Sequence, residues 1–141
     1  MKNKYPITMS FWIDKQQTHS VEVKSWSCAG MREGEIQWHW NVYAYIYETH
    51  PWFDKPEVLQ TNLPLHYGAS CSDLTITKPA LGFKYDWQKE HHTFKFGSDY
   101  NHYTDPENQQ SPLEGIPYYV ERDALELVEW LKDRAEVTRD V

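Results

Sequence analysis

Cysteine is scarce in this chain, represented by Cys28 and Cys71 alone. At most one internal disulfide could form from them, and without a secretory context two free thiols are expected. Long hydrophobic runs are missing too. Lys2 and Lys4 are followed by apolar positions that alternate with Thr8, Ser10 and Asp14, which makes neither a secretory signal nor a membrane span. Clustered positive charge is a third absence. The formal net charge is -7, the pI is near 5.4, and no basic run of the kind that grips nucleic-acid backbones is found. These absences point to a cytoplasmic protein with no nucleic acid and no membrane among its partners. No internal repeat or low-complexity tract breaks the 141 residues, so a single domain over 1–141 is expected.

Aromatic side chains are what the chain has in quantity: ten tyrosines, seven tryptophans and five phenylalanines. A core built from rings with polar tips needs hydrogen-bond partners for its hydroxyl and indole groups, which suits a protein with a cleft. The richest stretch is Ile36 to Glu48. Its even positions, Ile36, Trp38, Trp40, Val42, Ala44 and Ile46, are apolar, while Gln37, His39, Asn41, Tyr43, Tyr45 and Tyr47 fill the odd ones. Period two predicts a long strand with one dry face and one face of hydroxyls, imidazole and amide, central to its sheet. The polar face could pack with its tyrosine tips toward solvent, or it could line a pocket.

Ile7, Met9, Phe11 and Ile13 alternate with Thr8, Ser10, Trp12 and Asp14 as a first strand. A second turns Val21 and Val23 inward, and its alternation slips near Ser25 and Trp26, which suggests a bulge or a strand end. Gly30 to Glu35 reads as a hairpin connection. Pro51 and Pro56 end the central strand's run, with one helical turn expected around Pro56 to Gln60. Short strands follow at Asp73 to Thr77, at Leu81 to Tyr85 and at His92 to Gly97, then a long polar connection from Ser98 to Ile116. Pro117 suits a first helical position, and Val120, Ala124, Leu127, Val128, Leu131 and Ala135 recur at three- and four-residue intervals. The expected fold class is α+β, an antiparallel β-sheet with a C-terminal α-helix packed on one face.

Three segments could carry chemistry. Asp99, His102 and Asp105 stand three residues apart, so a single helical or turn-like coil would face all three the same way. Such a set can hold a divalent metal or a histidine acting as acid and base; it can equally be a loop tied down by its aspartates. His66, Gly68 and Ser70 form a small-residue segment able to present amides and hydroxyls to an anion. Cys71 beside them reads as a small buried hydrophobe, and the Gly-x-Ser-x-Gly nucleophile elbow is absent, as are metalloprotease and zinc-ribbon spacings. His50, held extended by Pro51, precedes Trp52 and Phe53, which could cap the core or stack on a flat ligand.

The order of these segments resembles an uncharacterised family of small phage and bacterial proteins. Its pattern runs from a strand ending in His-Pro, through His-Gly-Gly-x-Thr-Tyr, to Phe-Gly-Phe-Asp-x-x-His-x-x-Asp and a helix. The matching residues here are Tyr45 and Ile46 with His50-Pro51, then His66, Gly68 and Ser70, then Phe96-Gly97 with Asp99, His102 and Asp105. Tyr67, Ser70 and Cys71 depart from the pattern. The resemblance implies one shared site and, by analogy, a phage protein that counters host defence, working in the host cell cytoplasm.

The leading expectation is a small-molecule binding protein with a nucleotide-derived ligand. Its ligand-binding residues would be Tyr45, Tyr47, His50, His66, Gly68, Ser70, Gly97, Asp99, His102 and Asp105. A metal-dependent hydrolase using Asp99, His102 and Asp105 as metal ligands is the first alternative. A protein-interaction module, including a homo-oligomer that buries Tyr43, Tyr45 and Tyr47, is the second.

Overall fold

The computed structural model describes residues 8–29, 36–65, 70–76, 91–100 and 110–137, with the backbone alone at 28–29, 70–76, 91–92 and 136–137. The described strands are β1 (Thr8–Lys15), β2 (His19–Ala29), β3 (Ile36–Tyr47), β4 (Ser70–Ile76) and β5 (His91–Asp99). They form one sheet in the order β1-β2-β3-β5-β4, antiparallel at every described pairing. The central position expected for the aromatic strand is the one β3 occupies. Helix α1 (Pro56–Asn62) follows β3, and helix α2 (Tyr118–Val137) ends the described chain. This is the α+β architecture expected, with α2 against one face of the sheet.

Alternation decides which side chains meet that helix. The even residues of β3, Trp40, Val42, Ala44 and Ile46, are fully buried, and they face the core with Val21 and Val23 of β2 and Phe96 of β5. From α2 come Val120, Ala124, Leu127 and Leu131, at spacings that put one stripe on the sheet. Leu59 and Leu63 close one end of the core. Each Val, Leu, Ile or Phe among them contributes about 1.5–3 kcal/mol on burial. Two aromatic polar tips inside the core are partnered: Trp40 Nε1 donates to the Gln110 carbonyl at 2.9 Å, and the Tyr100 hydroxyl donates to Asp123 at 2.5 Å.

The Pro117 carbonyl accepts the first helical bond, from the Glu121 amide at 3.0 Å. Glu121 in the first turn and Arg134 in the last suit the helix dipole. Before it, a 3-10 turn at Pro112–Glu114 is capped by Ser111 and ended by Gly115 at φ 91°. Among the described residues no helix is long and apolar enough to cross a membrane.

Two local expectations are corrected. No register shift occurs at Ser25 and Trp26, where β2 pairs with β3 without interruption as far as Ala29. The alternation slips there because Ser25 and Ser27 are buried small polar residues on the core side, while the Trp26 indole lies on the other face. The irregularity sits in β1 instead, between Trp12, opposite Glu22, and Asp14, opposite Val21. It leaves Ile13 as the extra residue and turns Asp14 to the helix side. Secondly, β5 continues through Asp99, so this residue is extended strand, opposite Asn41, and not the start of a coil. The hairpin connection at 30–35 and the strand expected at 81–85 lie outside the described residues.

Candidate functional site

The face of the sheet away from α2 carries the odd residues of β3 and their cross-strand neighbours. Three rows follow from the register. Lys24, Asn41 and Asp99 form one; Glu22, Tyr43, Gly97 and Ser70 form the next; Ser20, Tyr45 and Lys95 form the third. Gly97 itself adds no side chain to the middle row, between Lys95 and Asp99 on β5.

Charge and rings are interleaved across these rows. Lys95 Nζ lies 4.1 Å from the centre of the Tyr43 ring and 5.5 Å from that of Tyr45, and Lys24 Nζ lies 5.9 Å from the same Tyr43 ring. Two cations therefore fold over one ring from diagonal corners, an arrangement favoured by the negative face of the aromatic system. Among the described residues neither ammonium makes an ion pair. Glu22, one of two carboxylates in these rows with Asp99, is 3% exposed and accepts a hydrogen bond from the Tyr45 hydroxyl at 2.6 Å. Trp12 continues the aromatic strip, its ring 5.5 Å from that of Tyr45, with Lys15 above it.

Beyond Asn41 the polar groups are committed to one another. Trp26 Nε1 donates to Asn41 Oδ1 at 2.7 Å, the Asn41 amide donates to the Ser98 carbonyl at 3.3 Å, and His39 lies against the Trp26 ring at 4.3 Å. At the other end the buried Tyr47 hydroxyl donates to Ser20 at 2.7 Å.

This environment shifts the ionisable groups. Burial, the bond to Glu22 and nearby negative charge raise the Tyr45 hydroxyl well above the usual phenol range. Tyr43 is raised by burial, then by Glu22 and Asp99. Burial lowers the Lys95 ammonium, and Lys24 lowers it further, against the pull of Glu22.

The expected site residues divide between regions. Tyr45, Tyr47, Gly97 and Asp99 share this outer face, and Ser70 occupies the register position across from Gly97. His50 does not join them. It is buried on the helix side, its ring 5.8 Å from that of His19 and its Nε2 3.4 Å from the Leu131 carbonyl of α2. The Trp52 amide donates to His50 Nδ1 at 3.0 Å, so the proton sits on Nε2 and the ring is neutral. His66, Gly68, His102 and Asp105 lie outside the described residues. Among the described residues no group of three or more His, Cys, Asp or Glu is placed to hold a metal ion.

Glu22, Lys24 and Lys95 were not singled out from the sequence. A signal did exist: Glu22 and Lys24 alternate with the inward valines, and Lys95 stands between two inward phenylalanines, so period two puts all three beside the tyrosines. Exposed charge is the default for outward strand positions, and their convergence on one ring is a property of the register.

No protein-family model matches the chain, and neither a curated protein nor a solved structure does.

Proposed function

We propose that this is a small-molecule binding protein whose ligand is a flat, nucleotide-derived molecule held on the outer face of the sheet. The observation that carries the reading is the pair of ammonium groups of Lys24 and Lys95, without an ion pair among the described residues, folded over the half-buried Tyr43 ring, with Tyr45 and Trp12 continuing the aromatic surface. Aromatic walls with a few fixed polar groups are the usual composition of small-molecule sites, and stacking on tyrosine is worth about 1–3 kcal/mol per base. Lys95 and Glu22 supply fixed charge at the ring edge. The chain acts in the cytoplasm, without nucleic-acid or membrane partners, and sequesters its ligand without consuming it. Removal of a host defence signal by a phage-encoded protein is the setting suggested by the motif order whose last motif is Phe96-Gly97 with Asp99, His102 and Asp105.

The test is retention. Purified protein is incubated with a bacterial metabolite extract, washed and heat-released, and the released compounds are identified by mass spectrometry. An intact aromatic metabolite held by the wild type and lost from a Tyr43→Ala, Tyr45→Ala double variant that still folds is the expected result. A wild type that retains nothing, or a double variant that retains as much, rejects the reading.

A further inference from the structure

The outer face differs in what its groups have left to offer a ligand. Both polar atoms of the Asn41 amide are used, one by the Trp26 indole and one by the Ser98 carbonyl. The Tyr45 hydroxyl donates to Glu22, and the Tyr47 hydroxyl donates to Ser20. These three groups, each able to discriminate the edge of one base from another, are thus tied into the sheet itself. The ammonium groups of Lys24 and Lys95 are not: each leans on the Tyr43 ring, and neither meets a carboxylate at ion-pair distance among the described residues.

Two like charges drawn toward one ring repel, more strongly on a half-buried face than in bulk water. Glu22, bound to the Tyr45 hydroxyl, offsets part of that repulsion, and Asp99 stands at the far end of the row that Lys24 opens. An anionic group set between the two lysines relieves that repulsion and adds charge-assisted hydrogen bonds. A planar ring attached to it takes the place of the ammonium groups over Tyr43, as each lysine moves from the ring to the anion.

Resting on the ligand face proposed above, we infer that Lys24 and Lys95 form an anion subsite, so that the protein selects a planar aromatic anion of the nucleoside monophosphate class by charge and flatness and does not read the base. Lysine stems pack along the ring, so Lys→Met keeps that packing while removing the charge.

The experiment is calorimetric titration of wild type, Lys24→Met and Lys95→Met with AMP, CMP, adenosine and inorganic phosphate, with circular dichroism as the check on folding. The wild type is expected to bind AMP and CMP within about fivefold of each other and adenosine at least about tenfold more weakly, since a charge-assisted contact is worth about 1.5–3 kcal/mol. Either Lys→Met change is expected to bring AMP down to the adenosine level and leave adenosine unchanged. Equal binding of AMP and adenosine by the wild type, or Lys→Met variants that bind AMP as the wild type does, overturns the anion subsite and leaves the aromatic binding face standing. A difference above fiftyfold between AMP and CMP overturns base indifference, and phosphate binding as tightly as AMP overturns the role of the ring. If none of the four probes binds, both the subsite and the nucleotide reading fall.

Discussion

Glu22 shows how a single side chain ties the outer face together. A carboxylate with 3% of its surface exposed needs hydrogen bonds to offset the lost water, and the Tyr45 hydroxyl provides one at 2.6 Å. Tyr45→Phe keeps the ring stack and removes the donor, so a loss of about 1–3 kcal/mol in urea unfolding is expected. A loss below about 0.3 kcal/mol would show that the carboxylate has ample other hydration. Tyr43 and Tyr45 are also expected to ionise later than ordinary tyrosine in an alkaline absorbance titration, because burial and Glu22 disfavour the phenolate. At this scale the sequence was legible in part. Odd positions of the central strand read as a polar aromatic face, and Tyr45 and Tyr47 are there. His50 was grouped with that face by the motif order; turns on either side of it instead carry its ring to the helix side, against His19 and Leu131.

The elements are held by features of quite different visibility. Helix α2 was plain in the sequence, because four apolar residues at helical spacing, Val120, Ala124, Leu127 and Leu131, have one way to be buried together. Leu127→Ala is expected to cost about 2–5 kcal/mol, measured by chemical denaturation, since the side chain is fully buried between helix and sheet. The turn that aims the helix is less conspicuous. Gly115 stands at φ 91° and ψ 180°, a conformation essentially confined to glycine, although a side chain there would meet nothing within 4 Å. Gly115→Ala is therefore expected to destabilise by about 1–3 kcal/mol through the backbone alone, and an unchanged urea midpoint would rule that out. The bulge in β1 was invisible: the residues Trp12, Ile13 and Asp14 alternate as smoothly as any regular strand, and only pairing with β2 exposes the extra residue.

At the scale of the whole molecule, that bulge brings Asp14 to His19, with Oδ2 and Nε2 both buried and 3.7 Å apart, and His19 in turn meets His50. The start of β2, the end of β1, the turn after β3 and the C-terminal half of α2 thus meet around two imidazoles. Burial, then the proximity of His50, lowers the His19 value from 6.5 to about 4, despite Asp14, and burial lowers His50 despite its bond to Leu131. Unfolded, these rings take up protons near pH 6.5, whereas folded His19 resists down to about 4. The unfolded chain therefore binds more protons between those limits, and stability falls as the pH falls through that window, levelling off below it. The expected loss from His19 by pH 4.5 is about 2–3 kcal/mol. Urea midpoints at pH 7.5, 5.5 and 4.5 should decline less steeply in His19→Asn than in the wild type; parallel declines would place the acid sensitivity elsewhere. The sequence by itself determined the α+β class, the central aromatic strand and the helix, because periodicity is a local property that burial on one face imposes residue by residue. Which charges gather over Tyr43, and which histidines meet beneath the helix, was decided only by strand register and a one-residue bulge, because such contacts join segments whose own sequences carry no record of their partners.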